Sequence, residues 1–236
     1  MSPRTAGATR KVRTALPPVL AAVAACVLAW ALGFTVVPID QAGAGSDAFD
    51  PGAYVDGAWE EIVATIRDDS VDLAEILGAI APNADGQVQK EALVAVTERY
   101  GLVTPGEAHV YKVRFSGTVT AVDLDSSLGT IGVAIDGYDG PVRVQVYVGP
   151  RIPSDESSVR DAVGFIEFGD FRDQTEYGKV ASEINGRVRA VLATIDAAAL
   201  QGATVTVHGA MTIRTFNLVV IDVGVVRIVP VAIERT

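Results

Sequence analysis

Cysteine occurs once in the 236 residues and histidine twice, and aromatic residues make up only 6% of the chain. A lone cysteine, Cys26, excludes any disulfide within the chain, so an oxidising compartment is permitted without being used. Two histidines, His109 and His208, are too few for a histidine-built metal centre, which needs several converging ligands. The sequence contains no G-x-S-x-G elbow, no Walker loop, no dinucleotide fingerprint and no CxxC pair. No metal, cofactor or catalytic residue is therefore expected. Basic residues are also scarce, 19 against 29 acidic, for a net charge of −10. Four of them, Arg4, Arg10, Lys11 and Arg13, fall in the first fourteen residues without an acid, leaving 15 against 29 for the rest. A body that acidic argues against a nucleic-acid partner, because phosphate-backbone binding needs clustered Lys and Arg.

What the chain does have is apolar sequence, 49% of its residues. Residues 15–37 carry no charge and run through Leu16, Val19, Leu20, Val23, Val27, Leu28, Trp30, Leu32, Phe34, Val36 and Val37. About 20 such residues at about 1.5 Å rise cross a hydrocarbon core of about 30 Å, so the segment is long enough to span a membrane. Pro17 and Pro18 sit at its start, where a helix has no N–H partners to lose. With residues 1–14 as a basic cytoplasmic stub, the positive-inside rule places everything after Pro38 outside. Two rivals give the same topology. Val23-Ala24-Ala25-Cys26 fits a cleaved signal with lipidation of Cys26, and Cys26 also fits as a plain small residue in a helix. The apolar run continues for 11 residues past Cys26, which favours the uncleaved helix.

Residues 38–49 contain the Gly/Ala/Ser-rich stretch expected of a flexible tether. Asp50-Pro51 then supplies an N-cap and a first-turn proline, with Phe49 and Tyr54 spaced as a hydrophobic staple. Three helices are predicted over residues 50–104: one burying Val55, Trp59, Ile62, Val63 and Ile66; one carrying Leu73, Ile76, Leu77 and Ile80; and one presenting Val88, Leu93, Val96 and Tyr100 that stops at Gly101 as a left-handed cap. After Pro105 the period becomes two. Strands are predicted at 110–122, 131–135, 142–148, 203–211 and 218–233, with a helix near 176–200 that carries a Glu183/Arg187 pair on its outer face. The fold class is α+β, and strand-strand-strand-helix-strand-strand is the order of the five-stranded antiparallel Greek-key barrel called the OB-fold. Residues 105–236 are assigned to it, with the long helix between strands three and four plugging one end.

Chemistry is harder to place. Asp123-x-Asp125-x-Ser127 resembles the start of a calcium loop, but the glycine falls one place late at Gly129 and Ala134 stands where a bidentate glutamate belongs, so it reads as a hairpin turn. Asp68-Asp69 and Asp155-Glu156 are adjacent and point apart on most secondary structures. The unusual region is 149–177. Phe165, Phe168, Phe171 and Tyr177 lie within thirteen residues, interleaved with Arg160, Asp161, Asp170, Gln174 and Glu176 and preceded by Arg151. Loops of about 25 residues inside compact domains are usually functional or disordered, and this one is too aromatic for disorder. Arg151, Arg160, Asp161, Phe168, Asp170, Phe171, Gln174 and Tyr177 are the candidates for contacting a sugar-like solute or a protein partner. The competing reading is a short helix and loop covering the barrel.

Val36-Val37-Pro38-Ile39-Asp40, Phe49-Asp50-x-x-x-Tyr54-Val55-x-x-x-Trp59, Val148-Gly149-Pro150 with Arg160-Asp161-Ala162, and Phe168-x-Asp170-Phe171-x-x-Gln174-x-Glu176-Tyr177 with Asn185-x-Arg187-Val188 resemble a bacterial family of predicted periplasmic lipoproteins of unknown function. The similarity covers residues 34–234. It implies an extracytoplasmic, membrane-tethered protein, often encoded beside sugar-type ABC import systems, and assigns no catalytic residue. Members carry their lipidated cysteine immediately before the Val-Pro motif, where this chain has Gly33-Phe34-Thr35. The expected function is an accessory or binding protein held on the outer face of the cytoplasmic membrane, with ABC transporter subunits or a small solute as partner and no catalysis. A cell-envelope carbohydrate-active enzyme, using Asp161, Asp170 or Glu176 as acid or base, is the alternative. It requires two carboxylates about 5–10 Å apart facing one cleft.

Overall fold

A computed structural model describes residues 49–236, which form one compact unit. The expected membrane span, tether and Cys26 lie outside the described residues. Among those described, no helix is long and apolar enough to cross a membrane.

Helix α1 (Pro51–Asp68) begins as its sequence dictates. The Asp50 carboxylate accepts from the Ala53 N–H at 3.1 Å, and Phe49 meets Tyr54 at 5.8 Å between ring centroids. A cap of this kind stabilises a helix by about 1 kcal/mol. Strand β1 (Val71–Asp72) follows, then α2 (Leu73–Ile80), whose four large apolar residues are all buried. Strand β2 (Gln87–Gln89), α3 (Lys90–Tyr100) and β3 (Leu102–Val103) complete this half. Val88, expected on the helix, lies in β2. Gly101 is not a left-handed cap. Its φ is −147°, and glycine is needed there because a Cβ would stand 2.5 Å from the Val110 carbonyl oxygen.

Strands β4 (Ala108–Asp123), β5 (Thr130–Ile135) and β6 (Arg143–Tyr147) are followed by α4 (Ser158–Val163), a 3-10 turn at Phe168–Asp170, α5 (Gln174–Leu192), β7 (Thr204–Arg214), β8 (Val220–Asp222) and β9 (Val225–Arg235). β4 pairs with β5 through its C-terminal half and with β7 through its N-terminal half, so the order β4-β5-β6-β9-β7 returns to β4 and the sheet closes. A bulge between Val119 and Ala121 bends the strand so that it can serve both neighbours. This is the five-strand order read from the sequence, with three corrections. The β6–β9 pair is parallel, the only such pair in the ring. The final predicted strand is interrupted at Val223-Gly224, and its first part, β8, leaves the barrel to pair with β2. The predicted 176–200 helix stops at Leu192, and a separate 3-10 turn at Ala197–Leu200, capped by Asp196, buries Leu200.

Alternation along the strands sorts the apolar side chains into two clusters. Tyr111, Val113, Phe115, Val133, Val146, Val207, Met211 and Ile228 fill the barrel together with Leu73, Ile76, Leu77 and Ile80 of α2 and Leu93 and Val96 of α3. Val110, Ala210, Val229 and Val231 face outward and are covered by Val55 and Ile62 of α1, Val159 and Val163 of α4, and Val180, Ile184 and Val188 of α5. Each such buried aliphatic side chain contributes about 1.5–3 kcal/mol. The helix between the third and fourth barrel strands therefore packs mainly on the outside of the barrel, while α2, α3 and Leu200 contribute to its interior. The helical and strand segments set apart at residue 104 by period alone share these clusters. Arg187 does not pair with Glu183; it bonds Asp56 of α1 and ties the outer helices to each other.

One buried polar network joins three of these parts. His109, 2% exposed, contacts Thr97 Oγ1 of α3 through Nδ1 at 2.7 Å and Thr215 Oγ1, just past β7, through Nε2 at 3.2 Å. Thr215 donates onward to the Glu107 carbonyl and Thr97 to the Leu93 carbonyl, each at 2.8 Å, so both hydroxyls that touch the ring are also tied to the backbone. Tyr111 donates its hydroxyl to Thr97, and burial pushes its pKa up to about 12. Burial, and secondarily Lys90, lowers His109 below its ordinary value, with Glu107 opposing; burial and then Arg67 lower His208 in the same direction. Because the unfolded histidines take up protons at higher pH than the folded ones, both contribute stability that is present above pH 6.5 and lost as pH falls from there toward the lower folded values. Chemical denaturation between about pH 7.5 and 5.5 is expected to show unfolding free energy declining with acid, and H109N is expected to flatten that slope; a flat wild-type profile contradicts it.

Candidate functional site: a groove beside the barrel

The predicted 149–177 loop is ordered by its own polar residues. Glu156 accepts from the Ser158 N–H at 2.9 Å as α4 begins, Asn185 of α5 donates to the Glu156 carbonyl at 2.8 Å, and the Ser158 hydroxyl reaches Thr212 of β7 at 2.8 Å. These bonds fix α4 against β7 and α5. Asp170 accepts from the Glu167 N–H at 3.0 Å and closes the 3-10 turn that carries Phe168. Asp173 caps α5, accepting from the Thr175 and Glu176 N–H groups at 2.9 and 3.0 Å. The Glu176 N–H bond is the first cause of a carboxyl held below its usual range. The cap fixes the first turn, from which Gln174 and Tyr177 project.

A groove of about 1050 Å³ lies where α4, the Phe168 turn and the start of α5 meet β3, the 104–108 turn and the end of β7. Its charged centre is Arg160 and Asp161. The Arg160 Nη2 stands 2.7 Å from Asp161 Oδ1, with the side chains only 10% and 7% exposed. Arg160 Nη1 donates to the Tyr177 carbonyl at 2.9 Å, and its guanidinium lies 3.5 Å from the Tyr177 ring centroid. Asp161 also accepts from the Tyr177 hydroxyl at 3.1 Å and the Ser157 hydroxyl at 2.7 Å. Burial pushes the Tyr177 phenol above its ordinary value, the Asp161 charge adds to this, and Arg160 opposes it. The centre is thus a neutralised pair with its strongest acceptor already saturated, an anchor more than a reactive group.

Of the eight residues predicted to bind, Arg160, Asp161, Phe168, Gln174 and Tyr177 line this groove and Arg151, Asp170 and Phe171 do not. Arg151 is exposed elsewhere. Phe171 is buried between Phe49, Tyr54 and Tyr177 at centroid distances of 5.4 to 5.5 Å, a packing role. Of the three carboxylates named for acid/base work, only Asp161 lines the groove; Asp170 caps its turn and Glu176, 7% exposed, pairs with Arg172 at 3.0 Å.

The sequence reading missed the opposite wall. Leu102 and Val103 of β3 and Phe216 beyond β7 are 42%, 54% and 66% exposed, and with Phe168 at 48% they give the groove an apolar rim. Arg214 and Asp155 stand beside them. The two signals available were an aromatic residue in a polar turn, Thr215-Phe216-Asn217, and an apolar pair left outside any periodic run before Pro105.

D161A removes the partner of a buried cation and the carboxylate that accepts from two hydroxyls. Losing one side of a buried pair costs about 3–5 kcal/mol, so urea denaturation is expected to show at least about 3 kcal/mol of destabilisation. A loss below about 0.5 kcal/mol, the range of an exposed pair, contradicts the anchoring role.

The sequence matches, over residues 22–234, the family described as predicted periplasmic lipoprotein (DUF2291). Among solved structures, the chain is similar to an OB-fold protein from Thermotoga maritima MSB8, at 15% identity and a TM-score of 0.58, covering 80% of this chain and 99% of that one. At that identity the likeness speaks to the fold alone. No curated protein matches.

Proposed function

The chain belongs to the family of predicted periplasmic lipoproteins, and on that premise we propose that it is a membrane-tethered extracytoplasmic binding or accessory protein whose working surface is the groove beside the barrel. The observation that carries this reading is the groove's rim: four large apolar side chains from three separated segments, left exposed around a neutralised Arg160–Asp161 centre. Exposed apolar patches of this kind mark interaction sites.

Where the chain enters the described body supports the same reading. Phe49 packs on Phe171, Phe171 on Tyr177, and Tyr177 on the groove residue Phe168, at centroid distances of 5.4, 5.5 and 5.6 Å. The groove therefore lies within three ring spacings of the end of the tether. Tethering to the membrane raises the effective concentration toward a membrane partner without any new contact. The partner we propose, on the resemblance noted in the sequence, is a sugar-type ABC importer.

Mild crosslinking of the native membrane protein, followed by purification, is expected to recover a transporter component. Recovery of none, from cells expressing an importer encoded beside this protein, overturns the importer assignment. The form of the anchor is read by intact mass: cleavage before Cys26 removes 25 residues and lipidation adds acyl mass, whereas an uncleaved helix keeps the full chain. The family's description as lipoproteins favours the lipid anchor and the apolar run past Cys26 favours the helix, so the mass decides between them.

A further inference from the structure

We propose that the groove takes an extended polypeptide segment, apolar with flanking basic residues, which adds as a strand to the free edge of β3; this deepens the tethered-binding reading and rests on it. The backbone of β3 carries the argument. β3 pairs only with β4 among the described residues, in the register Leu102↔Val110 and Val103↔His109. The Thr104 N–H donates to the Ala108 carbonyl at 2.9 Å, which makes Thr104 opposite Ala108 a hydrogen-bonded pair. In an antiparallel ladder bonded and non-bonded pairs alternate, so Val103 is in a non-bonded pair and turns both its N–H and its C=O away from β4. Neither group has a backbone or side-chain partner among the described residues. Val103 is also more than half exposed and lines the groove.

An edge that offers a donor and an acceptor selects for another backbone, and alternate side chains of an added strand then meet the pockets beside it. Here those pockets are made by Leu102, Phe168 and Phe216. A small solute is a poorer occupant, because sites for small molecules bury most of the ligand's surface and this rim leaves its aromatic faces open. Charge selects the flanks. With Asp161 neutralised by Arg160 and Asp155 near Arg214 at 3.8 Å, Glu167 remains as a rim carboxylate without a cation among the described residues, and residues 49–236 carry 15 basic against 27 acidic side chains. A segment with Lys or Arg beside its apolar stretch is drawn to such a surface. On the tethered-binding reading, the source of that segment is a protein at the same membrane face.

A phage-displayed library of random ten-residue peptides, selected against the full chain in detergent, tests this. Enriched peptides are expected to alternate apolar residues and to carry flanking Lys or Arg. Their binding is expected to weaken about tenfold or more in V103P, which removes the edge donor, and in F216A, which removes a rim face. Thermal melts identify any variant that fails to fold, and amide exchange on the wild-type chain provides a readout free of that complication: the enriched peptide must slow exchange at the Val103 N–H. No enriched peptide, or peptides that bind V103P as well as wild type and leave the Val103 amide unprotected, overturns strand addition. If crosslinking recovers a transporter component while these peptides fail, the tethered-binding reading stands and the proposed occupant falls. If crosslinking also recovers none, the proposed occupant and the importer assignment both fall.

Discussion

The structure depends on one strand having two partners. β4 is sixteen residues long, and it can close the sheet only because its first half pairs with β7 and its second half with β5. Gly117 and Thr118 pair with both neighbours, and the bulge at Val119–Ala121 follows directly after them. A second bulge, where His208 and Gly209 of β7 face Ala232 and Pro230, lets β9 carry a proline past a partner without losing the ladder. Closure satisfies the backbone groups that an open sheet would leave exposed. It also gives every strand of the ring an inside and an outside.

That division organises the rest of the molecule. The inside is filled by alternating aliphatic and aromatic side chains and shared with α2 and α3; the outside of β4, β7 and β9 is covered by α1, α4 and α5. Covering is incomplete where the outer helices meet the short strand β3 and the loop beyond β7, and the groove is that gap. Its walls are held from behind. Thr215, next to Phe216, is fixed by His109, and Arg160 is fixed by Asp161 and Tyr177. The exposed rim is apolar while its supports are polar, saturated and buried, an arrangement that preserves the shape of a surface whose own side chains gain little by staying in place.

Much of the fold was legible in the sequence because its signals are local. Asp50-Pro51 caps a helix by chemistry contained in five residues, and the period of two in Tyr111, Val113 and Phe115 follows from the pleat whatever lies opposite. Signals that depend on distant partners misled. Gly101 looked like a left-handed cap, but its lack of a side chain serves Val110, nine residues on. Arg187 looked paired with Glu183 at helical spacing, and a carboxylate on another helix, Asp56, takes it instead. The 218–233 run reads as one strand because nothing local says that β2 captures its first part.

The candidate site divides along the same line. The density of Phe168, Tyr177, Arg160 and Asp161 in one stretch pointed to half of the groove, since those residues lie close in sequence. Leu102, Val103 and Phe216 could not be joined to them without the β3–β4 and β4–β7 pairings. The sequence by itself determined the charge asymmetry between a basic N-terminal end and an acidic body, the caps, and the strand periods, all properties of neighbouring residues. Tertiary structure decided which aromatic residues are packed and which are presented. Phe171 and Phe168 are three positions apart with similar surroundings in sequence, and only the fold places Phe49 and Tyr54 over the first and leaves the second open.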